Sequence, residues 1–211
     1  MLLVAVAPKL RADAARNVEA ILDAALEVLA ERPDASVGDI AEAAGLVRAT
    51  VYAHFPNREA LVRALFARLM QRAGEAIDAS RPDEGSAAEA LDRLSCVSWR
   101  AVSTVGEARE AIERTLGVHE LHRMREGLAE RHRRLVERGQ ASGEFRDDLP
   151  AAWLAEVFVS LMGAVSTAVR EGEISAEDAP QYLRRTIFSA YGIAEPPPRE
   201  LPCAAGDALS I

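Results

Sequence analysis

Arg48, Ala49, Thr50, Tyr52 and His54 fall within a single stretch of seven residues, and their chemistry is that of recognition rather than bond-making. An arginine can pair bidentately with a guanine edge, an alanine or threonine methyl can meet a thymine methyl, and threonine and tyrosine hydroxyls can donate to phosphate. Val51 and Phe55 in the same stretch are apolar, so a helix here has an inner and an outer side. Residues 44 to 72 carry Arg48, Arg58, Arg63, Arg68 and Arg72 against Glu59, a local net charge of +4 within a chain of net charge -8.

Such a helix needs elements that hold it proud of a surface. Upstream, Ser36 with Asp39 three residues on has the pattern of a capping box. Ile40, Ala41 and Ala44 then give a short second helix that Gly45 stops, Gly45 supplying the turn. The third helix runs from about Arg48 to Phe55, ahead of Pro56. Asn57 caps a longer fourth helix carrying Leu61, Leu65, Leu69 and Ala73. Before these, Val18, Ile21, Leu22, Ala25, Leu26 and Leu29 form one apolar stripe on a first helix over 12–31. Small alanines in the second helix permit a close crossing with the third.

Composition points the same way. The chain has 211 residues, of which 41 are alanine, while glycine and proline together make 23 and aromatics 5%. An all-α fold follows, and collagen, low complexity and a disulfide scaffold are excluded. A uniformly basic coat is absent, since acidic residues outnumber basic ones by 33 to 25. Cys96 and Cys203 are far apart in unlike surroundings, and no disulfide framework or paired metal ligands can be read from them. The opening Met1–Ala7 is too short for a secretory core, no uninterrupted apolar run approaches the length of a membrane span, and a cytoplasmic location is expected.

Beyond the fourth helix, residues 80–86 (SRPDEGS) form the clearest internal break. Leu91, Leu94, Trp99 and Val102 lie on one helix, Ile112 and Leu116 on a shorter run, and Leu121, Met124, Leu128 and Leu135 on a helix to about Arg138. Gly139, Gly143 and Pro150 separate it from a helix over 151–170. Ser175 with Asp178 can cap the last helix, which presents Leu183, Ile187 and Tyr191. Four prolines mark 195–211 as a loose tail.

The segment Asp39–Leu61, DIAEAAGLVRATVYAHFPNREAL, resembles the DNA-binding domain of the tetracycline-repressor family of transcriptional regulators. The IAEAAG turn, Thr50-Val51-Tyr52, His54-Phe55 and Asn57-Arg58-Glu59-Ala60-Leu61 carry the resemblance, with Ile21–Ala25 upstream. The resemblance implies an all-α dimer of about nine helices. Its helix-turn-helix domain spans 12–57, an effector-binding and dimerisation domain 58–194, and a flexible tail 195–211. It implies a double-stranded DNA operator, an unidentified small-molecule effector and no catalysis, metal or cofactor. Thr50 and Tyr52 fall on its phosphate-contacting positions, with His54 next to phosphate. Arg48 and Ala49 fall on its variable base-reading positions, and Arg58 falls where a basic residue reaches the backbone. Val47 departs from the pattern, standing where a serine or threonine caps the recognition helix.

Plainer readings stand beside these. Tyr52 can be core with only its hydroxyl out, and Arg58 a solvated helix residue. Arg63, Arg68 and Arg72 read as ordinary surface. Lys9 and Arg11 suit either a flexible arm on DNA or free solvation.

For the remainder of the chain the resemblance implies an effector cavity enclosed by helices four to seven. Ser98, Trp99, Val102, Ile112, Leu116, Leu121, Met124 and Leu128, with His119, are its candidate lining, and each of the apolar ones fits a core equally well. His119, His122 and Glu126 share a helical face that could meet a metal or an anion, but a solvated surface explains them as simply. Trp153, Leu154, Val157, Phe158, Leu161, Met162 and Val165 cover more of one helix than a core stripe needs. With Tyr182, Leu183, Thr186 and Ile187 of the last helix they are the expected dimer interface. No nucleophile elbow, phosphate-binding glycine loop or nicotinamide fingerprint is present, so a noncatalytic helical adaptor is the main alternative to a DNA-binding repressor, ahead of an enzyme acting on a small apolar molecule.

Overall fold

Alanine-rich segments with apolar residues at three- and four-residue spacing bury one face and leave the other to water. The computed structural model describes residues 6–105 and 108–194. Among them it contains eight α-helices: α1 (Val6–Glu31), α2 (Val37–Ala43), α3 (Arg48–His54), α4 (Arg58–Ala79), α5 (Ala87–Val105), α6 (Arg109–Ala141), α7 (Ala151–Arg170) and α8 (Ala179–Ala190). The all-α expectation holds. The two helices expected around Ile112–Leu116 and from Leu121 onward are both present within α6, parted at Gly117, whose φ of 72° and ψ of 159° are not helical. The first helix begins at Val6, six residues before the expected start. Residues 195–211, with the expected tail and Cys203, lie outside the described residues, as do the side chains of Lys9 and Arg11.

The described chain forms two compact units, one built from residues 6–68 and 108–121, the other from 69–105 and 122–194. In the first, Ile21, Leu22, Ala25 and Leu29 of α1 are buried with Ile40 and Ala41 of α2, Val51 of α3, and Leu61, Val62 and Leu65 of α4. Full burial of each leucine, isoleucine or valine contributes about 1.5 to 3 kcal/mol, enough for a few side chains to fix helices only seven residues long. Arg68 corrects its reading as ordinary surface. It is buried and pairs with Glu19 at 3.0 Å and Asp23 at 2.6 Å, joining α4 to α1.

In the second unit the core draws on α5, α7, α8 and the later part of α6, with Trp99, Leu91, Leu135, Leu154, Phe158, Leu183, Ile187 and Tyr191 all buried. The 80–86 segment is pinned there rather than left as a loose linker. Arg93 donates to the carbonyls of Ser80, Arg81 and Glu84 at 2.8, 2.9 and 2.6 Å. Arg138 donates to those of Pro82, Asp83 and Gly85 at 2.9, 2.9 and 3.3 Å. The Glu144 carboxylate accepts from the Ala87 and Ala88 amides at 3.0 and 3.1 Å, filling the role of an α5 cap from 56 and 57 residues away. Ser175 and Asp178 are hydrogen-bonded as expected, at 3.0 Å from the Asp178 amide to Ser175 Oγ, but they close the turn before α8 rather than its first turn.

Buried His132 lies with Nε2 2.5 Å from Tyr191 Oη, and its ring stacks on Phe158 at 4.1 Å. Tyr191 Oη gives its proton to the Leu154 carbonyl at 2.9 Å, so Nε2 is the protonated nitrogen of His132. Burial pushes the His132 pKa down to about 3 and the Tyr191 pKa up. Helix α7 is the one described helix long and apolar enough to cross a membrane by length and composition. Its Leu154, Ala155, Phe158 and Met162 are instead buried in this unit's core.

Candidate nucleic-acid interface

The helix pair α2–α3 is set by local chemistry at each end. The Ser36 amide donates to Asp39 Oδ2 at 2.7 Å and the Asp39 amide to Ser36 Oγ at 3.2 Å, completing the expected capping box. The Ser36 hydroxyl, which donates to Asp39 Oδ2 at 2.6 Å, and the Ser36 amide, assisted by Arg32, hold the Asp39 carboxyl below the usual carboxylate range. At the other end the backbone turns through Gly45 at φ 66°, a conformation that favours glycine, and the Leu46 amide bonds the Ala41 carbonyl at 2.9 Å. Asn57 Oδ1 accepts from the Ala60 amide at 2.8 Å, capping α4 as expected.

Val51 is fully buried and Phe55 nearly so, and they fix which side of α3 faces out. Arg48, Ala49 and Tyr52 are exposed, and Thr50 and His54 are half-buried at the margin of the same face. Tyr52 keeps 50% of its surface exposed, which sets aside the reading of it as core with only a hydroxyl out. Ala53 is also exposed beside Tyr52; its place on the same arc of the helix was the available signal. Val47 has the φ of -79° and ψ of 147° of a helix cap but makes no side-chain cap bond. The helix nevertheless starts at Arg48.

Arg48 does not simply project outward. A Cβ built on Gly38 of α2 would stand 2.3 Å from its Nη2, 2.5 Å from Nε and 2.6 Å from Cζ, so the guanidinium lies across the space Gly38 leaves open. Arg58 is turned inward, which corrects its assignment to the DNA backbone. Its Nε donates to the Ala35 carbonyl at 3.2 Å, its Nη2 to the Pro33 carbonyl at 2.6 Å, and its Nη1 to Thr115 Oγ1. Arg63 pairs with Glu59 at 2.8 Å and Glu120 at 3.3 Å. With Arg68 neutralised against α1, the +4 counted along the sequence overstates the positive charge available at this face.

The other predicted sets divide. Of the candidate cavity lining, Ile112, Leu116, His119 and Leu121 belong to the first unit, while Ser98, Trp99, Val102, Met124 and Leu128 belong to the second. Ile112, Leu121 and Trp99 are core, and His119 is exposed, as is His122. Of the expected dimer residues, Leu154, Phe158, Met162, Leu183 and Ile187 are already buried within the chain, so their apolar surface is spent on its own core. Trp153, Tyr182 and Thr186 are exposed, and Val157, Leu161 and Val165 remain half-buried.

A family model described as bacterial regulatory proteins, tetR family, matches residues 21–65, a span running from the core of α1 through α3 into α4. Over that span the chain is similar to that family. The transcriptional repressor LfrR of Mycolicibacterium smegmatis is 44% identical over 79 residues, which are 37% of this chain and 42% of the repressor. The sequence match therefore spans less than half of that relative's length. The crystal structure of the TetR-like regulator LfrR from Mycobacterium smegmatis in complex with proflavine superposes with a TM-score of 0.66 and 29% identity, covering 83% of this chain and 96% of that one. The fatty acid degradation regulator FadR of Bacillus halodurans shares the fold, with a TM-score of 0.73 at 21% identity over 82% of this chain and 94% of that one. The part matched to the family model holds the helix-turn-helix, and the rest of the chain is matched as a fold.

Proposed function

We propose that the protein is a sequence-specific, double-stranded-DNA-binding transcriptional regulator, a repressor that acts as a homodimer and leaves its palindromic operator when a small, largely apolar effector binds. The observation that carries this is the outward face of α3: Arg48, Ala49, Tyr52 and Ala53 exposed over a fully buried Val51, in the segment matched to the family. A short helix whose polar side is presented and whose apolar side is locked has the form of a major-groove reader. Thr50, Tyr52 and His54 are placed to position the backbone, since phosphate contacts fix register without reading sequence. Ala49 is placed to meet a thymine methyl. The domains are 12–57 for reading and 58–194 for effector binding and pairing, and the place of work is the cytoplasm.

Pairing through α7 and α8 is supported by Trp153 and Tyr182, which keep 56% and 44% of their surface exposed beside half-buried Val157, Leu161 and Val165. Two-fold symmetry would set the two α3 helices in successive major grooves, about 34 to 36 Å apart. The proflavine complex of LfrR supports a small, flat aromatic effector for this chain as well. Selection of genomic fragments by the purified full chain tests the reading. Enrichment of a palindromic site upholds it, and recovery without a common sequence overturns it. Calorimetric titration of proflavine with and without that site tests the effector class. A coupling of about 1 to 3 kcal/mol, equal in both directions, is expected, and equal affinity in the two titrations would exclude proflavine as the signal.

A further inference from the structure

Gly38 lies inside α2, where glycine is among the poorest helix formers. Its φ is not in the left-handed region, so the backbone has no need of it. What its missing side chain does provide is room. Three atoms of the Arg48 guanidinium, Nη2, Nε and Cζ, occupy the place where a Cβ would be, at 2.3, 2.5 and 2.6 Å from it. Real Cβ atoms do not approach heavy atoms that closely, so any other residue at 38 evicts the guanidinium. The contact joins the two helices of the pair across ten residues of sequence, and it draws Arg48 from the outer face of α3 back toward α2. No carboxylate holds Arg48 there among the described residues, so its charge is not spent within the fold.

In a helix-turn-helix the first helix crosses the phosphate backbone, while the second enters the groove. We propose that Gly38 is a specificity-determining position: by leaving room on α2 it assigns the Arg48 guanidinium to the phosphate backbone and withdraws it from the base edges. This replaces the base-reading role that family resemblance implies for Arg48, and it rests on the DNA-binding reading above. Sequence discrimination at α3 then falls to its shorter side chains, Ala49 among them.

The test is a selection from a randomised duplex pool, followed by anisotropy titrations over a salt series. It uses the full-length wild type, Arg48→Ala, Arg48→Lys, Gly38→Ala and the double variant Gly38→Ala/Arg48→Ala. Arg48→Ala is expected to weaken every selected duplex by the same factor, about 60-fold at 0.1 M salt, one phosphate contact being lost in each half-site. It should also lower the magnitude of the slope of log K against log salt by about 1.8, the loss of two phosphate contacts per dimer. Base preferences should not change, and Arg48→Lys should restore the affinity, since a point charge suffices at phosphate but not at a bidentate base contact. Gly38→Ala is expected to fold, alanine being the better helix former and its nearest obstacle the end of a flexible side chain. Freed into the groove, Arg48 should then create a preference of about tenfold for one base pair in each half-site, which the double variant loses. A base preference that changes on Arg48→Ala alone overturns the assignment, as does a Gly38→Ala protein whose preferences match the wild type. Failure of the wild type to bind any duplex overturns the DNA-binding reading and this assignment with it, whereas the other outcomes overturn this assignment only.

Discussion

Arg58 Nη2 donates to the carbonyl oxygen of Pro33 at 2.6 Å, and the same guanidinium reaches the Ala35 carbonyl, so the first turn of α4 holds the chain entering α2. The α2–α3 pair is therefore oriented from the α4 side as well as by its own core. Replacing Arg58 by alanine leaves two part-buried carbonyls without a donor, and a loss of about 1 to 3 kcal/mol in unfolding free energy is expected. Lysine should recover little of it, because one ammonium cannot reproduce the planar fork. Urea denaturation of the three proteins decides. A variant as stable as the wild type would show that the clamp contributes nothing.

His132 gives the fold a pH limit. It is neutral in the core, with a pKa of about 3 against 6.5 for the free side chain. Above 6.5 both folded and unfolded chains are neutral at this site, and its full contribution is present. Below 6.5 the unfolded chain takes up the proton first, and stability falls by about 1.4 kcal/mol per pH unit until the folded pKa is reached. His132→Gln keeps an N–H for Tyr191 but has no charge to gain. The difference in unfolding free energy between wild type and variant should therefore slope with pH between 6 and 4 by one proton. Parallel curves would contradict the assignment of the buried histidine.

Val47 is a missing cap with the backbone of a present one. At φ -79° and ψ 147° it is already in the extended conformation a cap requires, and with 69% of its surface exposed it gives up little packing on replacement. Val47→Ser should stabilise the protein by about 1 kcal/mol by accepting from the first-turn amides of α3. An unchanged or lowered melting temperature would mean that those amides are already satisfied.

The α7–α8 surface makes a separate prediction. Trp153 is exposed and outside the chain's own core, so Trp153→Glu should dissociate the dimer while leaving the subunit folded. Sedimentation at low micromolar concentration should give the wild type at the mass of two chains and the variant at the mass of one. A wild type that sediments as a single chain contradicts the dimer.

The parts of this structure legible in sequence are those set by neighbours. The Ser36–Asp39 box, the Gly45 turn and the Asn57 cap each depend on residues within a few positions, and the stripe of α1 needs only its own periodicity. What was not legible depends on partners far along the chain. Arg68 reads as surface because its carboxylates, Glu19 and Asp23, lie 49 and 45 residues earlier. Arg58 resembles a DNA contact because the carbonyls that hold it carry no side-chain signature. A carbonyl belongs to every residue, so nothing in the letters at 33 and 35 marks them as acceptors. The expected dimer interface takes in two sides of α7, because apolar residues facing the subunit core and those facing outward look alike until the neighbouring helices are in place.

The claim that matters most is that the α3 face reads DNA sequence, and competitive anisotropy with the selected site against a scrambled duplex of the same length tests it directly. At fixed physiological salt the account predicts that the selected site is bound at least about 1000-fold more tightly. It also predicts that Thr50→Ala and Tyr52→Phe weaken binding without changing which sequence is preferred. Equal affinity for the selected and scrambled duplexes would contradict the account.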